Sequence, residues 1–321
     1  MQVNMVTAIN QALDLILQEN ENAVLLGEDI GKDGGVFRVT DGLQAKYGIN
    51  RVIDTPLAES AIIGASIGMA TQGLLPIPEV QFAGFMYLAF NQLVSHAARY
   101  RARSRSAFSI PMIVRTPVSG GVRALEHHSE SPEALYAHIG GLIVIEPSGP
   151  YDAKGLLIAA SRLKDPVIFL EPTRLYRLFK QEVPDEMYEV PIGKANVISE
   201  GSELTIVTYG VMVPVVKEAV EKKGISAEII DLRTINPLDE NTIIESAKKT
   251  GRVVIVHEAP ESFGVGAEIA ARIAEKAIYE LSAPVIRVAG PSMPYPMPGY
   301  EKFYTPTVGK VTAAIDKVMS E

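Results

Sequence analysis

A single carboxyl group, Glu59, stands where strand-like residues give way to a glycine-dotted helix, in the run Asp54-Thr55-Pro56-Leu57-Ala58-Glu59-Ser60. Two readings of it stay open on local pattern. It is a first-turn acid stabilised by the helix dipole, or it is a carboxyl held in a partly apolar cleft that shares a proton with a bound heterocycle. Ala58, Ala61 and Ile62 would supply apolar surroundings and raise its pKa. His127 and His128 form the second candidate group, in a stretch that begins Ser119-Gly120-Gly121 and ends Ser131-Pro132. Adjacent imidazoles point differently, and no HxxxH or CxxC spacing supports a zinc site. They read either as a surface pair or as a catalytic loop in which one ring moves a proton near neutral pH. Gln81, Phe82 and Phe85 follow a strand, so an aromatic there either stacks on a flat ring at a cleft edge or belongs to the core. His96, His138 and His257 read as structural.

Certain phosphate-binding devices are missing from the sequence. There is no GxxxxGK[ST] loop, and no Gly-Asp-Gly with a following Asn pair to hold Mg²⁺ on a diphosphate. Phe263-Gly264-Val265-Gly266 carries only part of a dinucleotide fingerprint. Gly64 and Gly68 share one face of the helix after Glu59, which predicts a close backbone approach, a helix–helix contact within or between subunits.

The elements that must position these residues follow from hydrophobic periodicity. Buried runs at 23–26, 51–53, 112–115, 142–145 and 167–170 alternate with helix-period segments at 6–18, 58–72, 85–103, 132–137 and 153–163. The rhythm breaks among prolines, glycines and charges from 171 to 201, then resumes. Strands are predicted at 204–208, 228–232, 253–256 and 285–288, and helices at 215–222, 241–248, 267–281 and 308–318. The fold class is therefore α/β, with two domains, each a mostly parallel sheet flanked by helices. The divisions are residues 1–185, a linker at 186–203, and 204–321. Asp54, Glu79 and Glu258 fall at the carboxyl ends of strands, the edge where open parallel sheets bind ligands.

Composition narrows the class. A net charge of −8 argues against nucleic-acid binding, so the local cluster Arg99, Arg101, Arg103 and Arg105 reads as a solvated helix end or a partner contact. There is no cysteine, which removes disulfides and thiolate chemistry. No apolar run approaches a membrane span and no secretory signal is evident at the start, so a cytoplasmic protein is expected.

Six motifs stand in order: Asp-Thr-Pro-Leu-Ala-Glu at 54–59, Pro-Glu-Val-Gln-Phe at 78–82, His-Ser-Glu-Ser-Pro-Glu at 128–133, Phe-Leu-Glu-Pro at 169–172, Asp-Leu-Arg-Thr-Ile-Asn-Pro-Leu-Asp at 231–239 and Val-His-Glu-Ala at 256–259. Together they resemble the β subunit of the thiamine-diphosphate-dependent 2-oxoacid dehydrogenase, the decarboxylating component of a multienzyme complex. The resemblance covers nearly the whole chain. It implies a pyrimidine-binding domain followed by a transketolase-type C-terminal domain. It implies that Glu59 contacts N1′ of the aminopyrimidine, where proton exchange favours the imino tautomer that deprotonates the thiazolium C2. Leu57, Gln81 and Phe85 match positions beside the pyrimidine. The family often has tyrosine at Phe85, so a hydroxyl contact would be lost while stacking survives. His128 matches a loop histidine thought to assist acyl transfer to lipoamide.

The resemblance also accounts for the missing diphosphate motif: an α subunit supplies it together with Mg²⁺, and the chain alone is expected to be inactive. The implied assembly is an α2β2 heterotetramer with β–β contacts, delivering acyl groups to the lipoyl domain of a dihydrolipoyl acyltransferase core. A potassium ion near Ile113 and Asp165 is implied by some relatives. The segment after Gln81 favours a branched-chain 2-oxoacid. Pyruvate or acetoin is the alternative, and a non-catalytic assembly protein of the same fold is the alternative from another class.

Overall fold

The computed structural model describes residues 1–321. Its first sheet has seven strands in the order Thr234–Asn236, Ile143–Ile145, Val167–Pro172, Ile113–Val118, Leu75–Glu79, Ala23–Gly27 and Val52–Asp54. All pairings are parallel except the first, where Thr234–Asn236 runs against Ile143–Ile145. The second sheet has five strands, Ile286–Gly290, Val253–Pro260, Leu204–Thr208, Ala227–Asp231 and Asn196–Ser199, again parallel but for the last. The central strands are buried on both faces, which is why they read as unbroken apolar runs rather than as alternation.

Helices cover both faces. Met5–Glu19 opens with Asn4, whose side chain accepts the Thr7 N–H at 3.0 Å. Its Met5, Ile9, Leu13 and Ile16 stripe is buried, each side chain stabilising the fold by about 1.5–3 kcal/mol. Two apolar cores result, of 43 and 33 buried residues, and each contains side chains from both halves of the chain. The halves are thus continuous in packing as well as in sequence.

Some expectations change. The segment 85–103, read as one helix, is divided into the 3-10 turn Ala83–Ala89, a π turn Gln92–His96, a second 3-10 turn Ala97–Arg99 and a short helix Tyr100–Arg103. Hydrophobic spacing survives these changes of pitch, so periodicity alone does not reveal them. Part of the stretch read as linker is structured: Asn196–Ser199 is the edge strand of the second sheet, paired with Ala227–Asp231. The glycine face of the helix Glu59–Thr71 meets no backbone of its own chain. A Cβ built on Gly68 would find nothing within 4 Å, and one on Gly64 only Gln92, at 3.9 Å. Any close partner of that face lies outside this chain.

The seam between the halves is polar and acidic. Tyr209 donates to Glu133 at 2.6 Å, Arg233 to Asp152 at 3.0 Å, and Ser148 to Asp231. Glu258 accepts from the Gly120 N–H at 3.0 Å and from Arg174 at 2.5 Å. Burial pushes the Glu133 carboxyl up to about 7 and the Asp231 carboxyl up to about 7.

Candidate functional site

Three segments converge at the carboxyl edge of the first sheet. The strand Val52–Asp54 ends in Asp54, whose carboxylate accepts the Gly31 N–H at 2.6 Å and the Lys32 N–H at 3.2 Å. Pro56 then stops extended pairing, and the helix Glu59–Thr71 begins with Glu59 in its first turn. Glu59 is buried, 8% exposed, whereas Leu57 two residues earlier is 81% exposed. An acid drawn in and a leucine left out, on one short rim, is the reverse of what solvation alone would give.

Beside Glu59 stands Glu28, directly after the strand Ala23–Gly27 and buried, with both carboxylate oxygens lacking a hydrogen-bond partner. Burial and then the neighbouring Glu59 charge raise its pKa above the ordinary range. Sequence reading missed Glu28, although an acid immediately after an apolar strand is the signal that flagged Asp54 and Glu79. The next residue, Asp29, has φ +58° and accepts from the Gln81 side chain at 3.0 Å. Gln81 is thereby fixed above the sheet edge.

The turn Ala83–Ala89 packs between the Glu59 helix and the loop carrying the histidines. Ser60 donates to the Leu88 carbonyl, tying the helix start to this turn. The His128 ring lies 4.4 Å from Phe82 and 5.2 Å from Phe85, both edge to face. Its Nδ1 is buried without a hydrogen-bond partner. His127 is the outward member, its side chain 55% exposed and 3.9 Å from Glu130. Gly84 admits the loop, since a Cβ there would lie 2.3 Å from the His127 carbonyl oxygen. Phe85 and His128 are thus in contact, the turn that carries Phe85 is tied to the start of the Glu59 helix two residues after Leu57, and Gln81 reaches Asp29 beside Glu28. The two remaining candidates, Ile113 and Asp165, lie elsewhere. Ile113 begins a buried strand, and Asp165 accepts from Arg101 at 2.8 Å.

Beneath the edge runs a buried charge network. Arg115 donates to Glu79 at 2.9 Å and to both oxygens of Glu171 at 2.7 and 3.1 Å, while Tyr176 donates to Glu171 at 2.6 Å. Burial raises the Glu79 carboxyl, and Arg115 opposes the shift. His257 is fully buried, and burial depresses it to about 4. Gly264 and Gly266 exist to admit its ring, since a Cβ at either would lie 2.9 or 2.6 Å from imidazole atoms. That explains the partial dinucleotide fingerprint without a phosphate.

The principal clefts of the chain are lined by none of Leu57, Glu59, Gln81, Phe85 or His128. An aromatic wall, a buried acid pair and an unpartnered imidazole nitrogen suit one face of a polar heterocycle, with the other face left for a second surface.

Residues 1–178 match the family "Transketolase, pyrimidine binding domain" and residues 193–311 match "Transketolase, C-terminal domain". A solved structure, "Split gene transketolase, inactive beta4 tetramer", shares the fold with a TM-score of 0.79 at 24% identity, covering 100% of this chain and 99% of that one. Architecture and matches define a two-domain protein of the transketolase type. The pyruvate dehydrogenase E1 component subunit beta of Acholeplasma laidlawii is 52% identical over 98% of each chain. That of Mycoplasma genitalium is 48% identical over 99% of this chain and 98% of its own. The 2-oxoisovalerate dehydrogenase subunit beta of Pseudomonas aeruginosa is 46% identical over 99% of this chain and 95% of its own. The chain belongs to the family of 2-oxoacid dehydrogenase E1 β subunits.

Proposed function

We propose that this chain forms the pyrimidine-binding half of a 2-oxoacid dehydrogenase active site, completed by an α subunit in an α2β2 assembly. The observation that carries the reading is Glu59: a carboxyl 8% exposed, at a sheet edge, near enough to a second buried acid, Glu28, for its charge to raise that group's pKa. Thiamine diphosphate, when bound, supplies an electron sink for the carbanion left as carbon dioxide departs. Glu59 holds and exchanges the proton at the pyrimidine N1′, while burial and then the Glu59 charge hold the neighbouring Glu28 carboxyl above its ordinary range. Phe85 offers its ring to the pyrimidine face, Leu57 an apolar edge, and Gln81 an amide fixed by Asp29. His128 moves a proton as the acyl group passes to the lipoyl domain of an acyltransferase core, its ring angle set by Phe82 and Phe85.

The diphosphate and its Mg²⁺ are assigned to the α subunit, since this sequence lacks the acid and amide motif that would hold them. A potassium ion near Ile113 and Asp165 remains part of the proposal, with the Asp165 carboxylate accepting from Arg101. No helix is long and apolar enough to cross a membrane.

Pyruvate is the proposed substrate, because pyruvate-type relatives reach 52% identity against 46% for the 2-oxoisovalerate type. This reverses the preference drawn from residues 82–85. The branched-chain acid remains the second reading on the strength of the Pseudomonas aeruginosa relative. The test is co-purification with candidate α chains and an assay of both acids with thiamine diphosphate and Mg²⁺. Activity should need both chains. Turnover by this chain alone would overturn the divided site.

A further inference from the structure

The segment that carries His128 is held from the far side of the domain seam. Its base is closed by the Ser119 N–H donating to the Glu130 carbonyl at 3.1 Å. Between those residues the backbone turns through three left-handed conformations, Ser119 at φ +74°, Gly121 at +93° and Arg123 at +58°. Two of these are not glycine, so the path is strained and must be over-determined by its surroundings. Two of the three side chains around it, Glu258 and Tyr295, come from the second half of the chain.

Glu258, only 3% exposed, accepts the Gly120 N–H at 3.0 Å through one carboxylate oxygen and Arg174 at 2.5 Å through the other. Arg174 lies along Gly121, where a Cβ would sit 2.2 Å from its Cδ. Tyr295, also from the second half, covers Gly120 so closely that a Cβ there would be 1.7 Å from the phenolic oxygen. Carboxylate, guanidinium and phenol thus enclose a Gly-Gly pair seven and eight residues before His128.

We propose that Glu258 is a positioning residue for the histidine loop: it fixes the Gly120–Gly121 turn, and through it the placement of His128 against Phe82 and Phe85. The functional consequence rests on the role given to His128 above; the mechanical one does not. Glu258 touches neither substrate nor cofactor and acts only through the loop it holds. A charged acceptor on a buried N–H is among the stronger single hydrogen bonds, and removing it leaves both the amide and the guanidinium without a partner.

The experiment uses the assembled αβ enzyme and measures two quantities for each variant. One is amide hydrogen exchange across residues 119–128. The other is acyl transfer to a lipoyl domain compared with decarboxylation driven by an artificial acceptor. Glu258→Ala should speed exchange in the segment about tenfold or more and lower lipoyl transfer about tenfold, with acceptor-driven decarboxylation within about twofold of wild type. Glu258→Gln keeps an oxygen for Gly120 but turns an amide N–H toward Arg174, so it should recover part of both. Arg174→Gln, at a side chain 26% exposed, gives the same direction of change without emptying the buried site, should Glu258→Ala fail to assemble. Tyr209→Phe removes a different seam hydrogen bond and should alter neither quantity.

The proposal is overturned if exchange at 119–128 is unchanged in folded Glu258→Ala, or if Tyr209→Phe reproduces the effect, which would mean general loosening of the seam. It is also overturned if the loop loosens yet transfer is normal while His128→Ala is impaired. If loosening is seen and His128→Ala itself transfers normally, the clamp stands and the role of His128 falls.

Discussion

Replacing Arg115 by methionine removes the only cation from a buried network and keeps most of the volume. Arg115 is 1% exposed, Glu79 5% and Glu171 0%. The wild-type guanidinium makes three hydrogen bonds to the two acids, at 2.7, 2.9 and 3.1 Å. The variant leaves two carboxyls in low dielectric with only Tyr176 donating to Glu171. Removing one member of a buried ion pair costs about 3–5 kcal/mol. For a domain of this size each kcal/mol moves Tm by about 2–4 °C, so a fall of roughly 6–20 °C is expected by calorimetry. The pH dependence carries a sign. Without Arg115 nothing opposes the rise that burial imposes on Glu79, so its folded pKa lies further above the unfolded one, and its contribution is intact at low pH and lost as pH rises. The deficit should therefore be small near pH 5 and grow toward pH 8. Adding Glu79→Gln and Glu171→Gln should restore much of the loss, since no charge is then stranded. A Tm within about 2 °C of wild type at pH 8 would refute the reasoning, because the two acids would then have found water or another partner.

Other consequences can be checked in the same assembly. Glu59→Gln should lower cofactor activation by about a hundredfold or more, the usual worth of a positioned acid–base group, with unchanged circular dichroism; wild-type turnover would remove Glu59 from the mechanism. His128→Ala should impair transfer to a lipoyl domain more than decarboxylation with an artificial acceptor, and equal losses would count against its role. Glu133, buried and raised to about 7, contributes stability that is present below its unfolded pKa and lost as pH climbs through 7. Glu133→Gln should accordingly flatten the decline in Tm between pH 5 and 8 by the equivalent of about 1–3 kcal/mol, and a wild-type slope in the variant would show that Glu133 does not govern it.

Much of the fold was legible because parallel strands covered on both faces are continuous apolar runs; 204–208 was placed to the residue. Glu59 was legible for a related reason, being an acid that follows a strand and a proline. What stayed hidden was set by contacts rather than by local pattern. Thr234–Asn236 is three residues long and gains its strand character only from Ile143–Ile145, far away in sequence. The breaks within 85–103 leave hydrophobic spacing almost untouched. Glu28 escaped notice because its importance lies in sitting beside Glu59, a proximity that no spacing in the sequence encodes. Glu258 was seen as a strand-end acid, but its partner Gly120 lies across the seam.

The crossing of Thr234–Asn236 into the first sheet has a consequence for how this protein can be divided. Having left the second sheet at Asp231, the chain caps the exposed flank of Ile143–Ile145 within three residues, so the amino-terminal half borrows its outermost rung from the other. A fragment stopped ahead of that loan would present a bare row of amide and carbonyl groups to any passing strand. The two family matches, residues 1–178 and 193–311, are separate in sequence, yet the sheet of the first is completed only by a strand from the second.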